Sequence, residues 1–95
     1  MLFVMFCIDK PGMAEKRAET MPAHVEYLNN APFKNVMSGP LVSDDGKDVV
    51  GSLYVIDAED RSVIEKMQRE DPLCQADIWE TVEVRAFNKR VDNRD

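Results

Sequence analysis

The opening run LFVMFCI, residues 2–8, is apolar at every position. Its β-branched and aromatic content, with no Gly or Pro, reads as a strand. Alternate side chains on a strand point to opposite faces, so Leu2, Val4, Phe6 and Ile8 share one side and Phe3, Met5 and Cys7 the other. A strand that is apolar on both sides must be covered on both. A chain of 95 residues suggests a single domain with a modest core. One short chain therefore has to cover two sheet faces, or borrow the second cover from a partner.

The rest of the chain supplies one cover. Pro11 and Gly12 form a loop, and residues 13–19 allow a short helical turn. Proline suits a helix's first turn but not its interior, so a helix is predicted to start near Thr20 or Met21, with Thr20 as its cap. His24, Tyr27, Leu28 and Ala31 then recur at helical spacing on one face, before Asn29-Asn30 and Pro32 end the helix. Residues 33–42 and 49–56 read as strands joined by SDDGKD, whose Asp-Gly centre is a hairpin signal. Asp57 or Asp60 caps the next helix, which carries the stripe Val63, Ile64 and Met67 to about Arg69, where Asp71-Pro72 stops it. A last strand spans residues 77–87. Ile78, Val82, Val84 and Ala86 lie on one face, and Trp79, Thr81, Glu83, Arg85 and Phe87 on the other. Residues 89–95 are a polar tail.

The order β-α-β-β-α-β over residues 1–95 matches a single ferredoxin-like α+β domain. Two helices cover one sheet face only. The outer row of the first strand, with Trp79 and Phe87, is expected on the uncovered face. A second copy of the chain is the expected cover: a homodimer whose sheets stack, or close into an α/β barrel around a pocket.

Composition narrows the partners. A net charge of -6 argues against nucleic acid or an anionic membrane as the main partner. No apolar stretch is long enough to span a bilayer, and the opening strand lacks the basic flank and cleavage site of a signal peptide. Cys7 and Cys74 stand far apart and outside any CxxC motif, which suits reduced thiols in a cytoplasmic protein and argues against a metal site. No Walker loop, dinucleotide fingerprint or zinc spacing is present, so no cofactor is expected.

One residue looks misplaced. In QREDPLC, Asp71 falls at a helix C-terminus, where the dipole disfavours an acid by roughly 0.3–1 kcal/mol. The only histidine, His24, faces the sheet and needs a hydrogen-bond partner there. A His24–Asp71 pair would satisfy both: the imidazole supplies the donor that the helix end lacks, and the carboxylate orients the ring for acid–base work. Two plainer readings compete, a hydrogen-bonded structural histidine and an Asp that opens a turn before Pro. At the start of its helix, His24 would also feel a dipole that favours the neutral base. The stretch Ser38-Gly39-Pro40 reads either as a backbone approach to a ligand or as a kinked edge strand. Ser52 either lines a pocket or is solvated. With Tyr27, which shares the face of His24, these are the candidate substrate-binding residues. Lys16 and Arg17 read as a solvated face.

These motifs occur together in a known order. Asp9-Lys10, Glu15 to Arg17, Pro22 to His24, Ser38 to Pro40, Gly51-Ser52, Asp71-Pro72 and the closing Phe87-x-Lys89 resemble the YciI-like (YCII) family over nearly the whole chain. The resemblance implies a ferredoxin-like subunit in a dimeric α+β barrel, with an active site built on His24 and Asp71. It also implies dehydrochlorinase-type elimination from chlorinated hydroxyquinols, related barrels handling small aromatic or lactone substrates. Met21 stands where relatives often carry an arginine, which removes a possible anion-binding group. Asp77 stands where they often carry glycine, and its side chain is expected to narrow the pocket or add an acid. The expected function is a small-molecule lyase or isomerase using the His24–Asp71 dyad. The alternatives are a non-catalytic dimer that binds a small aromatic or acidic metabolite, and a structural dimer with a vestigial pocket.

Overall fold

The two-sided apolar strand lies inside the sheet. In the computed structural model, which describes residues 1–94, β1 (Leu2–Asp9) lies between β3 (Val49–Asp57) and β4 (Trp79–Phe87), and β2 (Lys34–Val42) lies outside β3. Every pairing is antiparallel. The helices are α1 (Ala14–Asn29), α2 (Arg61–Glu70) and α3 (Pro72–Gln75). The core joins Phe3, Met5 and Cys7 of β1 to Tyr54 and Ile56 of β3, Val84 of β4, and Ile64 and Met67 of α2. Each large apolar side chain buried there contributes roughly 1.5–3 kcal/mol. This is the expected ferredoxin-like α+β arrangement. No helix among the described residues is long and apolar enough to cross a membrane.

Local chemistry sets the joints. In the β2–β3 turn, Gly46 takes φ 77° and donates its N–H to the Ser43 carbonyl at 2.8 Å. Of the two candidate caps for α2, Asp60 is the one used, accepting from the Ser62 N–H at 2.8 Å. At Gly51 the strands approach closely: a Cβ there would stand 2.0 Å from the Cys7 carbonyl oxygen.

Three expectations need correction. First, α1 does not start near Thr20. It starts at Ala14 and runs through Pro22. An interior proline costs about 3 kcal/mol, but the exposed Pro22 sits between two buried anchors of this helix, Arg17 and His24. The Thr20 hydroxyl caps nothing; it donates to the Lys16 carbonyl at 2.8 Å. His24 is consequently well inside the helix, beyond the first turn where the dipole acts. Second, Trp79 is not on the uncovered face with Phe87. Pairing with β1 slips between Ile8 and Asp9, so Glu80 is an extra residue on β4 and Trp79 turns back toward the helices, packing edge-on against Tyr54. Third, Asp71-Pro72 ends α2 but also begins α3, a helical turn absent from the expected order of elements.

The other sheet face is bare. Leu2, Val4 and Ile8 of β1 and Leu53 and Val55 of β3 are only half-buried there, while Phe6, Phe87 and Met37 are exposed.

Candidate functional site

One face of α1 carries Arg17, Met21, His24 and Leu28 at helical spacing. It stands over the β2–β3 hairpin, and a cleft of about 460 Å³ lies between them. The hairpin contributes Ser38, Gly39 and Pro40 on β2 and Ser52 and Tyr54 on β3, and Leu73 of α3 also lines the cleft. The volume falls within the usual range for small-molecule sites, about 300–1,000 Å³.

His24 and Asp71 meet. The imidazole Nδ1 lies 2.8 Å from each carboxylate oxygen of Asp71. Asp71 is fully buried and also accepts the Leu73 N–H at 2.9 Å. The aspartate therefore does two jobs at once: it opens the α3 turn, as an Asp before Pro commonly does, and it holds the imidazole. An ionised carboxylate can only accept, so a neutral imidazole beside it donates from Nδ1. Nε2 is then the bare nitrogen, and it faces the cleft, with the Tyr54 hydroxyl 3.3 Å away.

Arg17, which also lines the cleft, belongs to a buried ion pair. Arg17 is buried rather than solvated. Its Nε and Nη2 donate to the two Asp9 oxygens at 2.9 Å each, and Nη2 also donates to Ser52 Oγ at 2.7 Å. Bidentate charge-assisted bonds of this kind are among the strongest in proteins, and they explain how a guanidinium can sit under a helix. Its exposed neighbour Lys16 does follow the sequence reading. Once α1 begins at Ala14, the spacing of Arg17 from His24 puts both on one face, so the misplaced helix start is what hid this residue. Tyr54 was also missed, although it shares a face of β3 with Ser52 and Ile56.

The remaining candidates divide. Ser38, Gly39, Pro40 and Ser52 line the cleft. Tyr27 does not; the turn of the helix carries it toward Glu70 and Pro72, beside a separate hollow. Asp77 neither narrows the cleft nor adds an acid to it. It is exposed, pairs with Lys10 at 2.8 Å, and adopts φ 56°, a left-handed conformation that glycine takes most easily. Both thiols are free. Burial pushes Cys7 up to about 12 and also raises Cys74, so neither offers a thiolate near neutral pH.

A ferredoxin-like α+β domain with a cleft between its first helix and an edge hairpin is thus defined by fold and site together. The YCII-related domain model matches residues 1–88, and the chain belongs to that family. Protein YciI from Escherichia coli and from Shigella flexneri are each 28% identical to it over 96 residues, spanning 94% of this chain and 98% of theirs. Among solved structures, the 5-chloro-2-hydroxyhydroquinone dehydrochlorinase TftG from Burkholderia phenoliruptrix AC1100 superposes with a TM-score of 0.83 at 27% identity. The match covers 93% of this chain and 94% of that one, and TftG was solved in complex with 2,5-dihydroxybenzoquinone. PA3566 from Pseudomonas aeruginosa shares the fold alone, with a TM-score of 0.59 at 12% identity over 95% of this chain and 93% of its own.

Proposed function

We propose that this protein is a small-molecule lyase or isomerase that acts on a hydroxylated, activated ring. The observation that carries this reading is the pair of 2.8 Å contacts from Asp71 to Nδ1 of His24, which leaves Nε2 as the nitrogen on the cleft side, beside the Tyr54 hydroxyl. Nε2 takes the proton of a ring hydroxyl, and the Asp71 carboxylate stabilises the imidazolium that forms. The electron pair left on oxygen enters the ring, and the imidazolium returns its proton at a ring carbon. Stopping there is isomerisation; if the again-neutral His24 then takes the proton of a second ring hydroxyl, its electron pair expels an anion from that carbon and completes an elimination. Acid–base catalysis by one residue gives about 10²–10⁴-fold, which suits a substrate already activated by its hydroxyls. The likeness to a dehydrochlorinase points to chlorinated hydroxyquinols as the first compounds to try.

The test is chloride release from 5-chloro-2-hydroxyhydroquinone, with ring deuteration followed in D2O. Release or exchange above the protein-free rate is expected. Binding by calorimetry with neither release nor exchange would leave a binding module and contradict catalysis.

The working unit in this proposal is a homodimer. The bare face carries the apolar row Leu2, Val4, Phe6 and Ile8, flanked by Leu53, Val55, Met37 and Phe87. Contiguous apolar patches of this kind usually mark an interaction surface, and sheet-on-sheet stacking of two copies buries both. Sedimentation equilibrium at micromolar concentration should give twice the chain mass of 10.8 kDa; the monomer mass alone would overturn the dimer.

A further inference from the structure

The base described above leaves two buried hydroxyl groups in the cleft unused, those of Ser52 and Tyr54. We infer that the Tyr54 phenol, backed by the Ser52 hydroxyl, is a second catalytic group that donates a hydrogen bond to the oxygen anion formed when His24 takes its proton. This inference rests on the reading of His24 as the base and assigns the group that receives the charge.

Tyr54 is held in place from both sides. Its ring stands edge-on to His24 at 5.8 Å and edge-on to Trp79 at 6.4 Å, and only 2% of the residue is exposed. Its oxygen lies 3.3 Å from Nε2, long for a bond from a hydroxyl. With the ring proton on Nδ1, Nε2 can only accept, so the phenol must be the donor. Burial raises the phenol's pKa, so the hydroxyl remains protonated across the neutral range.

Ser52 is committed in a complementary way. Its oxygen accepts from Arg17 at 2.7 Å, and the residue is 3% exposed. Its own hydrogen therefore has to point to another acceptor, and Tyr54 stands two residues on along the same strand face. The Arg17 charge is held by Asp9, so it polarises the serine without offering a free cation to the ligand.

A ligand hydroxyl arriving beside both Tyr54 O–H and Nε2 would donate to the nitrogen and accept from the phenol, replacing one long bond with two. In the transfer, the ligand O–H bond breaks and the Nε2–H bond forms. The electron pair stays on the ligand oxygen, and the phenol keeps its own proton. The anion then meets Tyr54 O–H and the imidazolium N–H, with Ser52 behind. Preorganised donors aimed at developing charge are commonly the largest single contribution to a rate.

The test needs no turnover, so it separates this inference from the base assignment. The probe is 4-nitrophenol, whose anion is coloured, with 4-nitroanisole as the analogue that has no acidic hydroxyl. The intact protein is expected to bind 4-nitrophenol and shift it toward the phenolate. Tyr54→Phe should weaken that binding by about tenfold or more, the range of a hydrogen bond to a charged group. Affinity for 4-nitroanisole should change by less than about twofold, because the ring packing is retained. Ser52→Ala should produce a smaller loss in the same direction. Unchanged 4-nitrophenol affinity in both variants, an equal loss for both probes, or no binding of the phenolate by the intact protein would each overturn the inference.

Discussion

His24→Gln lowers turnover by about 10²–10⁴-fold while the fold survives. Glutamine is polar, similar in reach, and its amide can still donate to the Asp71 carboxylate that is otherwise 2.8 Å from Nδ1. What it lacks is a basic nitrogen on the far side, where Nε2 faces the cleft. The loss therefore falls chiefly on kcat, because proton transfer is what the substitution removes, with a smaller loss in binding from the missing ligand hydroxyl bond to Nε2. Chloride release or ring deuteration measures it, and an amide correlation spectrum matching that of the unaltered protein excludes unfolding. Turnover within a factor of two would remove His24 from the mechanism.

Gly51→Ala has the largest expected effect on stability. The new methyl would stand 2.0 Å from the Cys7 carbonyl oxygen, 3.1 Å from its carbon and 3.3 Å from the Ile8 Cα. All three are backbone atoms of the central strand, which is paired on both sides and cannot yield like the end of a flexible side chain. Relief requires parting β1 from β3 where Ile8 faces Gly51, close to Ser52 and the cleft. A loss of at least about 3 kcal/mol is expected, a large share of the 5–15 kcal/mol typical of a whole domain. Thermal unfolding should show Tm lower by about 10–20 °C, or no cooperative transition at all. A Tm close to that of the unaltered chain would mean that the two strands do not approach as closely as described.

The unbroken apolar run of residues 2–8 made the central strand legible, because a strand apolar on both sides belongs inside a sheet. The Asp-Gly turn and the order of elements were legible for similarly local reasons. Asp71 was legible through a conflict: an acid at a helix C-terminus needs a reason, and the buried imidazole supplies it. The failures arose where tertiary contacts outweigh local preference. Pro22 reads as a helix start, yet Arg17 and His24 anchor the helix on either side of it, and that error alone turned a buried guanidinium into a presumed surface charge. Trp79 was turned the wrong way by a bulge at Glu80, which alternation cannot reveal because one extra residue inverts every side chain beyond it. The contact between Tyr54 and His24 depends on how α1 crosses the sheet, which no local pattern encodes.

Asp71 is expected to hold the proton of His24 on Nδ1 and so to present a bare Nε2 to the cleft. A long-range ¹H–¹⁵N correlation spectrum of the neutral imidazole, the only one in the chain, reads this directly. The expected spectrum shows a protonated Nδ1 and an unprotonated Nε2. A neutral ring with its proton on Nε2 would leave Nδ1 unable to donate to Asp71, and the cleft would contain no base.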